Sequence, residues 1–176
     1  GKSYRKGIEL ETMLRASNNF DISTNISFSK NKNIDYKTNF NGEVTNWGDT
    51  DISFSPNLIS SIGFNYSPKK DLNISILNKF VGDQYMSNTE SVVSKLSSYS
   101  TTDLNFIYSF KKSKYFNEII FTAMLNNIFN KEYVSNGYYY TYDDTWSDPN
   151  IVTTIEGTGY YPQAKRNFLI GFTFKL

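Results

Sequence analysis

The sequence predicts an all-β protein, an antiparallel up-and-down transmembrane β-barrel segment of about seven strands, and three observations support this fold class. Tyr and Phe each occur 14 times among the 176 residues, and aromatic residues make up 17% of the chain, which favours strands over helices. Seven segments alternate apolar and polar residues with a period of two. The connectors between them are alternately short and long, as in barrels that cross a membrane.

The seven segments follow one another along the chain, and each presents an apolar face and a polar face. They lie at residues 8–14, 20–28, 58–66, 72–80, 104–110, 118–129 and 168–176. The last segment is the clearest, because its large apolar residues alternate with smaller or more polar ones up to the final residue. We expect this stripe to face lipid and to act as the barrel-assembly signal; it consists of Phe168, Ile170, Phe172, Phe174 and Leu176.

The connectors predict which end of the strands carries the loops. Short connectors lie at residues 17–19, 68–71 and 111–117, and long ones at 33–57, 83–100 and 130–166. Bacterial barrels made of one chain have an even number of strands, so seven strands leave two alternatives open. Either an eighth strand within residues 44–54 completes a small barrel with a structural or adhesive role, or the chain is one arc of a larger wall. A third alternative is a secreted β-sandwich that binds glycans, since sandwiches also alternate.

Composition and charge exclude several classes of function. The formal net charge of +1 argues against nucleic acid as a partner. His and Cys are absent, and no catalytic pair stands out, so we expect no enzyme activity, no cofactor and no metal. No apolar run reaches the ~18–20 residues of a transmembrane helix, whereas alternating strands hide their lipid-facing residues from mean hydropathy. The opening residues lack the apolar stretch of a signal peptide, so we expect that Gly1 is not the first residue encoded.

Four stretches in consistent order resemble TonB-dependent outer-membrane receptors, and together they cover essentially the whole chain. The last comprises LNNIFNKEYVSNGYYY at residues 125–140 and YYPQAKRNFLIGFTFKL at residues 160–176. It is similar to the family's Asn-hydrophobic-Phe-Asn-Lys-x-Tyr segment after the penultimate strand and its Pro-x-x-x-Arg before the final strand. Upstream, the similar stretches are YRKGIELE at 4–11, LNKFVGDQYMSN at 77–88 and LSSYSTTDLNFIYSF at 96–110. The last connector is most similar to receptors of Bacteroidota-type bacteria, although the chain ends in Leu176 where an aromatic residue is usual.

The resemblance implies that residues 1–176 form the last, C-terminal part of a 22-stranded barrel in the bacterial cell outer membrane, with the plug domain outside this sequence. Such receptors take up a scarce ligand, such as an iron–siderophore complex, with energy from the TonB–ExbB–ExbD complex, which acts through the plug. The other implied partners are the outer-membrane barrel assembly machinery, lipopolysaccharide and other outer-membrane lipids, and the small-molecule ligand itself. The family does not fix which ligand is transported.

The candidate ligand-binding residues lie in and beside the last long connector. Either the aromatic residues Tyr139, Tyr140, Tyr142 and Trp146 stack on a ligand, or they pack against neighbouring loops or lie at the headgroup level. Arg166, at the start of the final strand, either contacts an anionic ligand or a lipid phosphate or pairs with a carboxylate of the wall. We expect the acidic residues of this connector to be solvated; they are Asp143, Asp144 and Asp148.

Overall fold

The computed structural model describes residues 1–40, 42–111, 115–148 and 151–176. Its strands are β1 (Lys2–Ser17), β2 (Phe20–Phe40), β3 (Glu43–Asp51), β4 (Leu58–Lys69), β5 (Leu72–Val81), β6 (Gln84–Tyr85), β7 (Lys95–Leu96), β8 (Tyr99–Lys111), β9 (Glu118–Asn126), β10 (Val134–Asp144), β11 (Thr153–Pro162) and β12 (Asn167–Lys175). A 3-10 turn covers Val92–Ser94. Among the residues described, no helix is long and apolar enough to cross a membrane.

Eight of these strands form one antiparallel sheet, and seven of them follow one another across it in chain order. Their order is β1-β2-β4-β5-β8-β9-β12. This is the predicted up-and-down arrangement, and it contains all seven segments that were identified from alternation. Short connections join β1 to β2, β4 to β5 and β8 to β9 at one end of the sheet, which we call the turn side. The longer connections lie at the other end, which we call the loop side.

The register places apolar residues of all seven strands on one face of the sheet. One row of directly paired residues crosses the whole sheet and consists of Leu14, Ile22, Phe64, Ile76, Leu104, Leu125 and Phe168. The adjacent row lies on the opposite face and is mostly polar; it consists of Arg15, Asp21, Asn65, Ser75, Asn105, Met124 and Leu169. The period-two pattern of the sequence is therefore the two-faced pattern of a wall.

No second layer formed by the described residues covers the apolar face. Among the described residues only three apolar side chains are buried, Val81, Met86 and Leu96, and all three lie on the loop side. In contrast, Ile8 is 75% exposed and Phe168 is 74% exposed. A β-sandwich would bury such a face against a second sheet. The architecture is instead a single-layer wall, and the barrel-segment fold class predicted from the sequence is confirmed.

Residues 44–54 do not add an eighth strand to the path of the wall. β2 is 21 residues long; its first part pairs with β4, and its outer part pairs with β3 along the same edge. β3 and β4 are both antiparallel to β2, so β3 does not reverse the direction of the strands that follow. Residues 33–57, which were predicted as a long connector, thus include a hairpin that prolongs the wall on the loop side.

Two further ribbons lie within the other long connectors. β6 pairs with β7 in the connector between β5 and β8. β10 pairs with β11 over ten residues or more in the connector between β9 and β12. The sequence analysis identified both stretches as long connectors and named no strand in either, so these ribbons are a correction. They give the loop side a framework of backbone hydrogen bonds that positions side chains.

Candidate ligand-binding site

Ion pairs and hydrogen bonds fix the β5–β8 connector to the β2–β3 hairpin on the loop side. Lys32 of β2 pairs with Asp51 Oδ1 at 2.8 Å and with Glu90 Oε1 at 3.0 Å. Burial acts to lower the pKa of Lys32, but attraction to these two carboxylates outweighs it and raises that pKa. The backbone N–H of Ser53 also donates to Asn88 Oδ1 at 2.8 Å. The connector is therefore held at one side by the wall itself.

The same connector contacts the β10–β11 hairpin at its other side. Gly137 of β10 leaves room for Met86, because a Cβ there would lie 2.7 Å from the Met86 sulfur. The Tyr139 hydroxyl donates a hydrogen bond to the carboxylate of Glu156 across the hairpin. Burial and this carboxylate raise the pKa of Tyr139, and hydrogen bonds from Tyr139 and then Ser91 lower the pKa of Glu156. The two hairpins and the connector between them thus form one continuous rim on the loop side.

The opposite face of the β10–β11 hairpin carries a row of exposed aromatic rings. Tyr138, Tyr140 and Tyr142 alternate along β10, and Trp146 follows in the turn; we call these four residues the aromatic ladder. Successive ring centroids are 6.2, 6.4 and 6.2 Å apart, and successive ring planes differ by 26°, 17° and 10°. The rings are therefore nearly parallel along the whole row. Between 43% and 72% of each residue is exposed, so the ladder is open to solvent.

Two glycines of β11 set the position of the tyrosine rings. Tyr138 pairs with Gly159, and Tyr140 pairs with Gly157. The tip of each ring occupies the space in which a Cβ of the facing residue would lie, so any side chain at either glycine would overlap the ring. Rings that lie over glycine pack against the backbone of the neighbouring strand. The hairpin therefore holds these rings from behind, although their outer surfaces are exposed.

The acidic residues of this connector have roles within the hairpin. Asp144 Oδ1 accepts hydrogen bonds from the backbone N–H groups of Trp146 and Ser147, at 3.1 and 3.0 Å. Hydrogen bonds from Ser147 lower the pKa of Asp144. Asp143 accepts a hydrogen bond from the Thr154 hydroxyl at 2.8 Å. The contact with Asp144 holds Trp146 in the turn, where the indole extends the ladder.

Asn127 ties together the base of the β9–β12 connection. It follows β9 directly, is only 4% exposed and has a left-handed backbone with φ of 51°. Its side-chain amide donates to the carbonyl oxygens of Lys131 and Ala164, at 2.8 and 3.3 Å, and accepts from the Lys131 N–H at 2.9 Å. Asn130, with φ of 55°, accepts the backbone N–H of Arg166 at 3.0 Å. Sequence analysis missed this clamp, although two Asn residues after a strand are its signal, since Asn adopts left-handed backbone more readily than most residues.

The structure brings together three of the five residues predicted to bind ligand. Tyr140, Tyr142 and Trp146 all belong to the aromatic ladder. Tyr139 lies on the opposite face of the hairpin and does not join them. Arg166 is exposed at the start of β12, and within the described part of the chain it forms no ion pair with a wall carboxylate.

The stripe predicted as the assembly signal lies on the apolar face of β12. Phe168, Ile170, Phe172 and Phe174 are between 55% and 74% exposed, and they continue the apolar rows of the other wall strands. Leu176 follows the last residue of β12 and is 90% exposed. The surface needed for lipid contact is therefore present, while the signalling role stays a prediction.

Comparison with solved structures identifies receptors of the same fold. The chain matches the siderophore receptor PiuA of Acinetobacter baumannii with a TM-score of 0.74 at 14% identity, over 98% of this chain and 22% of that receptor. It matches the ferric-catecholate import receptor Fiu of E. coli K12 with a TM-score of 0.64 at 15% identity, over 98% and 21%. It matches the ferric yersiniabactin uptake receptor FyuA of Yersinia pestis with a TM-score of 0.64 at 14% identity, over 96% and 22%. No family model matches the sequence, and no curated protein matches it.

The chain thus spans between 21% and 22% of the length of the receptors that it matches. At identities of 14–15%, the structural similarity establishes the fold and no more than the fold. The resemblance that the sequence motifs indicate is confirmed at that level: the chain has the fold of a segment of the β-barrel of TonB-dependent siderophore receptors.

Proposed function

We propose that the chain forms the C-terminal part of the barrel wall of a TonB-dependent receptor that takes up a ferric siderophore across the bacterial outer membrane. Its fold is that of proteins whose names describe them as receptors for siderophores and ferric complexes. In the described part of the chain the sheet is open, with β1 and β12 at its edges, which fits an arc of a larger barrel. In this proposal, other parts of the protein supply the plug and the rest of a 22-stranded wall, and TonB–ExbB–ExbD supplies the energy.

The aromatic ladder is the observation that supports a ligand with flat, ring-containing groups. It lies on the loop side, which faces outward in barrels of this architecture. Its rings are nearly parallel, exposed and held from behind by glycines, so a flat group can stack on them without reordering the side chains first. Ferric chelates with catechol or phenol rings present such flat groups. We therefore propose an aryl-containing ferric siderophore as the ligand.

Two other functions that the sequence left open receive less support. A complete small barrel requires residues 44–54 to add a wall strand, whereas in the part of the chain that the structure describes β3 pairs with the outer part of β2 and with no other strand. A secreted β-sandwich requires one covered face, whereas the apolar face of the described sheet carries exposed side chains on six wall strands and half-buried ones on β9. An arc of a larger wall needs neither feature.

The test measures binding and uptake by the whole protein that contains this chain, in a host without its own siderophore receptors. Ferric chelates of catecholate, phenolate and hydroxamate types are supplied one at a time as the iron source. We expect binding and growth with an aryl-containing chelate. Tyr140→Leu combined with Trp146→Leu should weaken binding about tenfold, because each aromatic contact is worth about 0.5–1.5 kcal/mol.

The matched control is Tyr160→Leu, since Tyr160 pairs with Gly137, lies on the opposite face of the same hairpin and is 49% exposed. It should bind the chelate like the unaltered protein. Failure of every chelate to bind or to support growth would contradict the proposed function. Equal binding by the double variant and the unaltered protein would contradict only the placement of the ligand on the ladder.

A further inference from the structure

Two lysines face outward directly above the apolar band of β1 and β2. Lys6 and Lys30 are paired residues in the register, one step towards the loop side from the apolar pair Ile8 and Phe28 on the same face. The segment from Phe20 to Phe28 is about 27 Å long. Because strands of a barrel are tilted, its height along the membrane normal is smaller and corresponds to most of the ~25 Å apolar band. The two ammonium groups therefore lie at the level of lipid headgroups on the loop side.

No acidic side chain among the described residues neutralises these two lysines. The ion pairs in that part of the chain involve other basic residues. Lys6 Nζ lies over the ring of Tyr4, 5.3 Å from its centroid. Like charges directly opposite one another on paired strands destabilise the pairing. An anion between Lys6 and Lys30 would relieve this repulsion and accept a charge-assisted hydrogen bond from each.

We propose that Lys6 and Lys30 bind the phosphate group of an outer-leaflet lipid whose acyl chains lie on the apolar face below. The proposal rests on the outer-membrane location proposed above. A lipid fits better than a soluble anion because Ile8 and Phe28, which are 75% and 57% exposed, continue the site towards the membrane interior. Lysine places its stem along apolar surface and its ammonium at the headgroups, and Tyr4 lies at the level where tyrosine is enriched in membrane proteins.

The test measures lipid A bound to the whole protein in detergent micelles by native mass spectrometry. The probes are lipid A that carries its phosphate groups and the same lipid A from which the phosphate groups have been removed. We expect the phosphorylated form to bind about thirtyfold more tightly, which corresponds to about 1 kcal/mol for each lysine. Lys6→Gln with Lys30→Gln should remove this preference, and Lys6→Arg with Lys30→Arg should keep it. The matched control, Lys69→Gln with Lys70→Gln on the turn side, should also keep it.

Equal binding of the two lipids by the unaltered protein, or an unchanged preference in the double Gln variant, would overturn the lipid site. Displacement of lipid A by excess inorganic phosphate would identify a soluble anion as the ligand and would overturn the choice of a lipid. Cell fractionation separates these outcomes from failure of the proposed function. A whole protein absent from the outer membrane contradicts the proposed location, whereas one that is present but shows no preference contradicts only the lipid site.

Discussion

Asn127 anchors the connector that carries the aromatic ladder, and its replacement has a calculable cost. Asn127→Ala removes three hydrogen bonds to Lys131 and Ala164 and leaves alanine at a φ of 51°, which alanine adopts less readily. Each lost bond is worth about 1 kcal/mol, so we expect the connector to lose about 2–4 kcal/mol of stability against local opening. Hydrogen exchange of the β10–β11 backbone amides measures this loss, and exchange should be faster in the variant.

The neighbouring Asn126 provides the control, because it is the same residue type on the polar face of the wall. Its side chain donates to Asn167 Oδ1 at 2.9 Å in an exposed position, so Asn126→Ala should cost less than about 1 kcal/mol. Similar exchange rates in the two variants would contradict the clamp. The sequence motif around Asn127 was recognised, but its role was not, because a left-handed residue leaves no trace in apolar periodicity.

The β10–β11 hairpin positions the ladder through its glycines, which gives a prediction at the scale of the element. In Gly157→Ala, the new Cβ overlaps the tip of the Tyr140 ring, and a ring tip can move more easily than backbone. We expect the hairpin to persist while Tyr140 leaves its preferred position at a cost of about 0.5–1.5 kcal/mol. The Tyr140 ring signals in NMR spectra of the whole protein should shift, and the amide exchange of β10 should not change.

Gly171→Ala is the control for this substitution, since a Cβ at Gly171 meets no atom within 4 Å. It should leave the Tyr140 signals unchanged. An unshifted Tyr140 ring in Gly157→Ala would show that the glycine does not determine the ring position. Signals of Tyr160, which pairs with Gly137 on the opposite face, provide an internal reference within the same hairpin.

Alternation predicts the wall strands well and the loop-side ribbons poorly, for one physical reason. In the proposed barrel, a wall strand has lipid on one face and polar groups on the other, so Phe172 and Thr173 differ as their surroundings do. In β10, both faces carry tyrosines, because one face packs on the β5–β8 connector and the other forms the ladder. Tyr139 and Tyr140 therefore look alike in the sequence although they lie on opposite faces. For this reason the sequence placed Tyr139 in one group with the three candidates that the structure brings together.

The whole molecule is a wall with one apolar face, so its function depends on what covers that face, and Phe172 provides the sharpest test. Phe172 lies near the middle of the outward stripe of β12 and pairs with Phe121, whereas the adjacent Thr173 lies on the polar face. An arginine near the membrane midplane costs about 2–4 kcal/mol on the lipid face of a barrel. We expect Phe172→Arg to reduce the amount of the whole protein in the outer-membrane fraction strongly, and Thr173→Arg to leave it near the normal amount. Quantitative blotting of that fraction compares the two, and equal amounts would contradict the assignment of this face to lipid.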